Sequence, residues 1–307
     1  VQAAIKKALR GEDLENGEAE STMDEITSGR ATPAQTAALL TALAMKGESV
    51  SELTGFARVM RRKATPVRRP AGRFIVDTCG TGGDARNTFN ISTLAAIVAA
   101  GAGVTVAKHG NRSVSSRCGS ADLIEALGIN LNTPPDRVEE AVGQIGIGFL
   151  FAPLYHGAMR HAAAARKELG IRSIFNMLGP LTNPAGADCQ LLGVYAPQLT
   201  EMFAEALRLL GSRRALVVHG HDGLDEISAC APTRVSELRD GLIRTYDITP
   251  ERFLGRRAAL AEVAGGDPAF NAALTRRILS GEPGGAREVV LLNAAAALMA
   301  AGRADTF

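Results

Sequence analysis

From residue 74 onward, short apolar runs alternate with longer stretches of helical pattern, and this alternation restricts the possible folds more than any other feature. The apolar runs are FIVD (74–77), VTVA (104–107), IGFL (147–150), LLGVY (191–195) and ALVVHG (215–220). Helical stretches separate most of them, at 91–101, 120–127, 134–145, 157–169 and 199–211. The pattern predicts an α/β domain with a mostly parallel central sheet flanked by helices, and TRVSEL and LIRTYDI near 233–248 predict an antiparallel addition at one edge.

The first 65 residues contain helical patterns only, and TPAQ (32–35) and SVSE (49–52) are two capping boxes that mark helix starts. The stretch RRKATPVRRPAGR (61–73) predicts a basic, solvated linker. We therefore expect a small all-helical domain over 1–66 and a larger α/β domain over 74–307. Because the sequence stops just after an apolar helical segment, VVLLNAAAALMAAG, we expect the C-terminal end of the larger domain to be truncated.

The composition excludes several classes of protein. Lysine and arginine total 34 against 32 acidic residues, whereas a general nucleic-acid binder needs a strong basic excess. No apolar run reaches the ~18 residues of a membrane span, and no secretory signal is visible. The four cysteines lack C-x-x-C spacing and suit a reducing cytoplasm: Cys79, Cys118, Cys189 and Cys230. We expect a cytoplasmic protein with no nucleic acid and no membrane as partner.

The segment VDTCGTGGDARNTFNIS (76–92) follows the first apolar run and predicts a phosphate site. Gly80, Gly82 and Gly83 allow backbone N–H groups to turn toward one point, in front of the N-terminus of the next helix. Active sites of parallel sheets lie at the carboxyl ends of the strands. We therefore expect functional residues in the loops that start at Asp77, Lys108, Ala152 and His219.

Two common phosphate motifs do not match this segment. A P-loop ends in Gly-Lys-Ser or Gly-Lys-Thr, and neither is present. A dinucleotide fingerprint fits literally at Gly80, Gly82 and Ala85, but residues 86–88 then precede the helix. The second strand ends at Lys108, where that motif calls for an acidic residue. These departures disfavour a nicotinamide cofactor.

The segment KHGNRSVSSRCGSAD (108–122) follows the second apolar run and is rich in cations and hydrogen-bond donors. Neighbouring strands of a parallel sheet end at the same edge, so this segment and 76–92 should lie side by side. One phosphate would not need two such loops. A ligand with a diphosphate at one end and a monophosphate at the other would.

The sequence resembles the anthranilate phosphoribosyltransferase family. The resemblance rests on six blocks in order along nearly the whole chain: GTGGD, NTFNIST, KHGNRSVSS, CGSAD, RSIFNMLGPLTNP (172–184) and GLDEIS (223–228). It implies a helical domain, joined in space by helices from about 157–180, and an α/β domain without the family's last C-terminal helices. It also implies a homodimer formed through the helical part, and transfer of a phosphoribosyl group to anthranilate in tryptophan biosynthesis.

The resemblance also implies which residues bind the substrates. Phosphoribosyl diphosphate (PRPP), with Mg²⁺, is expected to contact Gly80, Gly83, Asp84, Thr88, Asn90, Ile91, Ser92, Thr93, Lys108, His109, Gly110, Asn111, Arg112, Ser113, Ser115, Ser116 and Ser120. The magnesium ligands are expected to be Ser92, Asp225 and Glu226. Anthranilate is expected to contact Gly80, Asn111 and Arg166.

The chemistry of the implied reaction agrees with these residue types. Negative charge grows on the departing diphosphate, which amide donors and Mg²⁺ stabilise. The amine of anthranilate is already neutral near pH 7, so we expect no general base and expect positioning by Lys108, Asn111 and Arg166. Arg166 offers a planar fork for the carboxylate of anthranilate. The expected neighbours of anthranilate further include His109, Tyr155 and Pro180, with His156 as an orienting group.

Two alternatives remain at this point. A pyrimidine nucleoside phosphorylase shares the fold, although the asparagine and arginine of KHGNR fit it poorly. A non-enzymatic, nucleic-acid-binding relative of the same fold would need a basic face and would lack the metal site. The net charge of +2 and the intact Asp225–Glu226 pair count against it.

Overall fold

The computed structural model describes residues 1–84, 86–113 and 117–307. Its N-terminal part is a bundle of helices: α1 (Gln2–Leu9), α2 (Asn16–Thr27), α3 (Pro33–Lys46) and α4 (Val50–Lys63). Both capping boxes form as predicted. Thr32 Oγ1 accepts from the Gln35 N–H at 3.2 Å, and Ser49 Oγ accepts from the Glu52 N–H at 3.3 Å. These bonds satisfy backbone donors that the first helical turn leaves unpaired.

A seven-stranded sheet follows: β1 (Ile75–Gly80), β2 (Thr105–Gly110), β3 (Ile147–Phe151), β4 (Cys189–Gly193), β5 (Arg214–Gly220), β6 (Thr233–Arg239) and β7 (Leu242–Ile248). The strand order is β3-β2-β1-β4-β5-β6-β7. The first five strands along the chain pair in parallel, and β6 and β7 add an antiparallel hairpin at one edge. The predicted mostly parallel sheet and its antiparallel edge are both confirmed.

The helices after the bundle are α5 (Ile91–Gly101), α6 (Ser120–Ala126), α7 (Pro135–Gln144), α8 (Ala152–Tyr155), α9 (Arg160–Leu169), α10 (Ile174–Leu178), α11 (Leu199–Leu209), α12 (Glu251–Leu254), α13 (Pro268–Leu279) and α14 (Gly285–Ala300). Of these, α5 and α14 cover one face of the sheet and α11 covers the other. Adjacent strand residues point to opposite faces. Leu191 accordingly belongs to the core under α5 and α14, whereas Leu192 belongs to the core under α11. That second core continues into the helical bundle, because α4 packs against α11.

Helices α9 and α10 lie against the N-terminal bundle, with α9 on α2 and α3 and α10 on α3 and α4. The predicted solvated linker at 61–73 is wrong at its first residues. Helix α4 continues to Lys63, and Arg61 donates to Leu181 O at 2.6 Å and to Leu210 O at 3.2 Å. Burial lowers the pKa of Arg61 to about 10. Arg61 therefore ties the bundle to the larger domain.

The strand boundaries also differ from the prediction, since β1 and β2 each run three residues further than the apolar runs do. Asp77 and Lys108 therefore lie inside strands and not at the start of loops, and both are buried. Polar residues can occupy these positions because both form hydrogen bonds there, Asp77 with the Asn183 amide and Lys108 with Thr78 O. In the described part of the chain, no helix is both long and apolar enough to cross a membrane.

Candidate active site

The loop after β1, described at 81–84 and 86–90 and here called the glycine-rich loop, turns sharply at two glycines. Gly82 and Gly83 have φ of +67° and +77°, a region that favours glycine. The Gly82 N–H donates to Asp225 Oδ2 at 2.8 Å. Arg172 donates to Gly83 O at 2.8 Å, and its guanidinium lies 3.9 Å from the centre of the Tyr195 ring. The loop is thus held from both sides.

Two glycines at a paired position of β1 and β4 allow Asp225 to approach the sheet closely. Gly80 and Gly193 are register partners. A Cβ on Gly80 would lie 2.4 Å from Asp225 Oδ2, and a Cβ on Gly193 would lie 1.6 Å from Asp225 O. Any larger residue at either position would displace the loop that carries Asp225.

Asp225 and Glu226 lie at the glycine-rich loop, near enough to Asp84 for its charge to act on both. The Glu226 carboxylate accepts from the Ser92 N–H at 3.1 Å, and the Asp84 carboxylate lies beside that of Asp225. Burial, together with the Asp84 charge, raises the pKa of Asp225 to about 7. Burial, together with the Asp225 charge, raises the pKa of Glu226 well above its usual range. Such mutual repulsion is relieved by a cation.

The donor set suits a metal that keeps substrate or water oxygens among its ligands. Asp84 Oδ2 is buried, and no described residue donates a hydrogen bond to it. Within 1–84, 86–113 and 117–307, no group of three or more His, Cys, Asp or Glu side chains is arranged so that it could hold a metal ion by itself. Mg²⁺ is commonly bound by one or two carboxylates together with substrate phosphates.

Lys108 lies beneath these carboxylates. It is 3% exposed, and its ammonium donates to Thr78 O and, at 3.3 Å, to Ser92 Oγ. Its charge opposes the rise in the pKa of Glu226. In this structure Lys108 therefore orders the ends of β1 and α5, rather than projecting from a loop.

The loop after β2, described at 111–113 and 117–119 and here called the cationic loop, contacts the glycine-rich loop. Asn90 Nδ2 donates to Cys118 O at 3.0 Å across the two. The expected adjacency of the two loops is thus present. Arg112, however, is paired with Asp122 and Glu125 of α6, at 2.8 Å each. Its guanidinium is directed to its own helix in this structure.

The remaining residues expected at PRPP are distributed around these loops. Thr88 pairs with Ala264, and Ile91 and Thr93 at the start of α5 are each 1% exposed. The Ser113 N–H donates to Asp122, and Ser120 Oγ donates to Asn111 O at 3.3 Å. Gly110 ends β2. Ser115 and Ser116 lie outside the described residues.

Family models match both parts of the chain. Residues 72–307 match the glycosyl transferase family α/β domain, and residues 2–64 match the helical bundle domain of that family. The anthranilate phosphoribosyltransferase of Syntrophobacter fumaroxidans is 68% identical over all 307 residues, which is 91% of that relative's length. The chain belongs to the anthranilate phosphoribosyltransferase family. This confirms the resemblance drawn from the six sequence blocks.

Solved structures of the family are also similar. The anthranilate phosphoribosyltransferase of Thermus thermophilus has a TM-score of 0.93 at 50% identity, over 99% of this chain and 90% of that one. The anthranilate phosphoribosyltransferase of Saccharomyces cerevisiae in complex with PRPP and Mg has a TM-score of 0.89 at 30% identity, over 98% of this chain and 88% of that one. The predicted fold class is confirmed.

The residues expected at anthranilate fall into two groups. Arg166 of α9 is half-buried, no carboxylate or carbonyl of the described chain accepts from it, and its guanidinium lies 5.1 Å from the centre of the Phe175 ring. Burial lowers its pKa. A half-buried cation without an anionic partner is suited to an anionic ligand.

The second group is more deeply buried. His109 Nδ1 donates to Gly179 O at 3.2 Å, and the Nε2 atoms of His109 and His156 are 3.2 Å apart. Burial lowers the pKa of His109 to about 3 and that of His156 to about 4, so both rings are neutral at pH 7. Pro180 is also buried and accepts from Gln190 through its carbonyl.

Tyr155 is not where the sequence reasoning expected it. Its ring is 1% exposed and packs in the core formed by Val67, Ile75, Leu150 and their neighbours. A ring buried there cannot line a substrate slot in this structure. An apolar residue next to a functional motif is as consistent with a core position as with a binding position, and the sequence did not distinguish the two.

Two asparagines that no motif contained also hold the site in place. Asn293 of α14 accepts from the Ile227 N–H at 3.0 Å and donates to Ile227 O at 2.9 Å, directly after Glu226. Asn271 of α13 donates to Asn90 Oδ1 at 3.1 Å. Both are 1% exposed or less. Asn293 stands in an apolar stretch of α14, and a polar residue there is the sequence signal that could have identified it. Helix α13 carries two arginines and gives no such signal for Asn271.

Proposed function

We propose that this protein transfers the 5-phosphoribosyl group of PRPP to the amine of anthranilate in tryptophan biosynthesis, releasing diphosphate. The observation that carries the proposal is the cluster of Asp84, Asp225 and Glu226 at the glycine-rich loop, in contact with the cationic loop. A cation would relieve the repulsion among these carboxylates, and the two adjacent loops suit a ligand with phosphates at both ends. The comparisons with relatives of this name support the same activity.

We further propose Mg²⁺ as the cation, held by Ser92, Asp225 and Glu226, with Asp84 beside them. When bound, Mg²⁺ neutralises charge on the leaving diphosphate. The chain's own groups supply the remaining stabilisation. The amides of the glycine-rich loop bind the diphosphate, and the N-terminal end of α5 favours negative charge. Lys108 keeps Ser92 in place through its bond to Oγ.

In the reaction, the bond between C1 of the ribose and the diphosphate oxygen breaks, and the amine nitrogen bonds to C1 and loses a proton. We propose that Arg166 binds the carboxylate of anthranilate and that Asn111 and the neutral His109 orient the ring. An aromatic amine is neutral at pH 7, so positioning contributes much of the rate. A homodimer is proposed through the helical bundle, where Leu9 and Met45 are 70% and 82% exposed.

The test is a fluorescence assay of anthranilate consumption with PRPP and Mg²⁺. The Arg166→Ala variant is expected to raise the KM for anthranilate about 10- to 100-fold and the KM for PRPP much less, because one charge-assisted pair is lost. Arg160→Ala, at an exposed position of the same helix, is the matched control and should leave both values unchanged. Phosphorolysis of thymidine without consumption of anthranilate would reject the proposed activity in favour of the nucleoside phosphorylase alternative.

A further inference from the structure

Strands β1 and β2 pair only at their beginnings. Their register partners are Ile75 with Thr105 and Val76 with Val106, and the pairing then stops. Each strand nevertheless continues, since β1 stays paired with β4 to Gly80 and β2 stays paired with β3 up to its last residue. The sheet is therefore split between β1 and β2 at the end from which the glycine-rich and cationic loops emerge.

Side chains replace the missing backbone pairing in this split. Asp77 Oδ1 accepts from the His109 N–H at 3.2 Å, and Asp77 Oδ2 accepts from Asn183 Nδ2 at 2.8 Å. Asn183 Nδ2 also donates to Ala107 O at 2.8 Å. Asn183 Oδ1 accepts from the Ala185 N–H at 2.8 Å, which fixes the orientation of the amide. Asp77 and Asn183, here called the polar wedge, thus satisfy both strands.

The hydrogen bonds explain why the wedge needs these two residue types. Both oxygens of Asp77 face N–H donors, and no amide side chain can accept on both sides. The Asn183 amide must donate to Asp77 and Ala107 while accepting from Ala185. Asp77 is 0% exposed and Asn183 is 3% exposed, so water does not replace a lost bond. A buried carboxylate is costly, and an ordinary backbone ladder would satisfy the strands without it.

We propose that Asp77 and Asn183 are positioning residues which hold the ends of β1 and β2 apart, at the separation that lets the two loops bind one PRPP molecule. This inference rests on the proposed function. The wedge touches no substrate group itself. It acts through the backbone of His109 on one side and through the strand that leads to Gly80 on the other.

The first experiment compares two buried carboxylates. Asp77→Asn leaves one N–H donor facing an amide NH₂, and we expect the KM for PRPP to rise about 10-fold or more, and more than the KM for anthranilate. Glu52→Gln is the matched control, because Glu52 is 0% exposed and accepts from the N–H groups of Leu14 and Ser49 on its two oxygens, in the helical bundle. It should lower the melting temperature comparably without changing either KM.

If Asp77→Asn changes the KM for PRPP and the KM for anthranilate by no more than Glu52→Gln does, Asp77 only stabilises the fold, and the inference is overturned. If Asp77→Asn does not accumulate as folded protein, Asn183→Ala applies the same test, since it removes the donor to Asp77 Oδ2 and Ala107 O together with the acceptor of the Ala185 N–H. Anthranilate consumption by the unsubstituted protein separates the two failures. Its absence rejects the proposed function, whereas its presence together with an unchanged KM in Asp77→Asn rejects the wedge alone.

The second experiment exchanges the two groups. Asn183→Asp places two carboxylates against each other and leaves Ala107 O without a donor. The double variant Asp77→Asn with Asn183→Asp restores a donor–acceptor pair between the two side chains. We expect the double variant to bind PRPP at least about 5-fold more tightly in calorimetry than Asn183→Asp alone. Affinities that simply combine the two single effects would overturn the pairing.

Discussion

Asp225→Asn is expected to stabilise the protein without Mg²⁺ while abolishing its activity. The carboxylate of Asp225 is crowded by Asp84, and its pKa of about 7 lies far above the usual 3.8. Between pH 3.8 and about 7, Asp225 therefore keeps a proton in the folded state that it has lost in the unfolded state. Stability without metal falls as the pH rises from about 4 to 7, and an amide at position 225 removes this loss. The Gly82 N–H keeps an acceptor, because the amide oxygen replaces Oδ2.

The magnitude follows from the pKa. A rise in the pKa of Asp225 from 3.8 to about 7 lowers the free energy of unfolding above pH 7 by at most about 4 kcal/mol. Asp225 is partly exposed and shares its repulsion with Asp84, so solvent screening reduces the figure to about 1–3 kcal/mol. We expect the melting temperature of Asp225→Asn to exceed that of the unsubstituted protein by about 2–8 °C at pH 8 without Mg²⁺. The difference should vanish near pH 4.

Thermal unfolding between pH 4 and pH 8, with EDTA or with Mg²⁺ and diphosphate, measures the effect. The unsubstituted protein should gain stability from Mg²⁺ and diphosphate at pH 8, and the variant should gain much less. Activity of the variant should fall about 100-fold or more, since the metal contributes several kcal/mol to the transition state. A residue required for function but harmful to stability is common at active sites.

A control of opposite sign is available on the surface. Hydrogen bonds from Arg256 lower the pKa of Glu262 to about 2, so its stabilising effect is present above the unfolded pKa and disappears in acid. Glu262→Gln should therefore lower stability at pH 8 and leave activity intact. If Asp225→Asn is less stable than the unsubstituted protein at pH 8 in EDTA, the proposed repulsion between the carboxylates of Asp225 and Asp84 is contradicted.

Two further substitutions test the supports of the glycine-rich loop. Arg172→Ala should raise the KM for PRPP about 3- to 10-fold in steady-state kinetics, because the loop loses a hydrogen bond. Arg213→Ala, which removes a guanidinium also 3.9 Å from a ring centre, should leave that KM unchanged, and an equal effect would reject the role of Arg172. Gly193→Ala should abolish turnover, because its Cβ would lie 1.6 Å from Asp225 O. Gly143→Ala has open space and should be neutral, so an active Gly193→Ala variant would contradict the close approach.

The sequence predicted the fold well where the pattern is local. Apolar runs and capping boxes report which residues are buried and where helices begin, and both are set by near neighbours. The ends of β1 and β2 were missed because their last residues are polar. Asp77 and Lys108 are buried in strands because groups distant in sequence form hydrogen bonds with them: the Asn183 amide with Asp77, and Thr78 O and Ser92 Oγ with Lys108. No local pattern contains that information.

The motifs predicted the candidate site only in part, because they too are local patterns. The motifs place the glycine-rich and cationic loops at neighbouring strand ends, where the structure has them in contact. They do not reveal which way a side chain turns. Arg112 pairs with α6, and Tyr155 enters the core. Asn293 could be noticed in its apolar segment, but its partner, the backbone of Ile227 66 positions away, is visible only in the folded chain.

The most direct test of the central claim is a crystal structure of the protein with PRPP and Mg²⁺. The account predicts one PRPP molecule between the two loops, with its diphosphate at the glycine-rich loop and its 5-phosphate at the cationic loop. Mg²⁺ should contact Asp225 or Glu226. PRPP bound away from Gly83 and Lys108, or a metal that contacts neither carboxylate, would contradict the account.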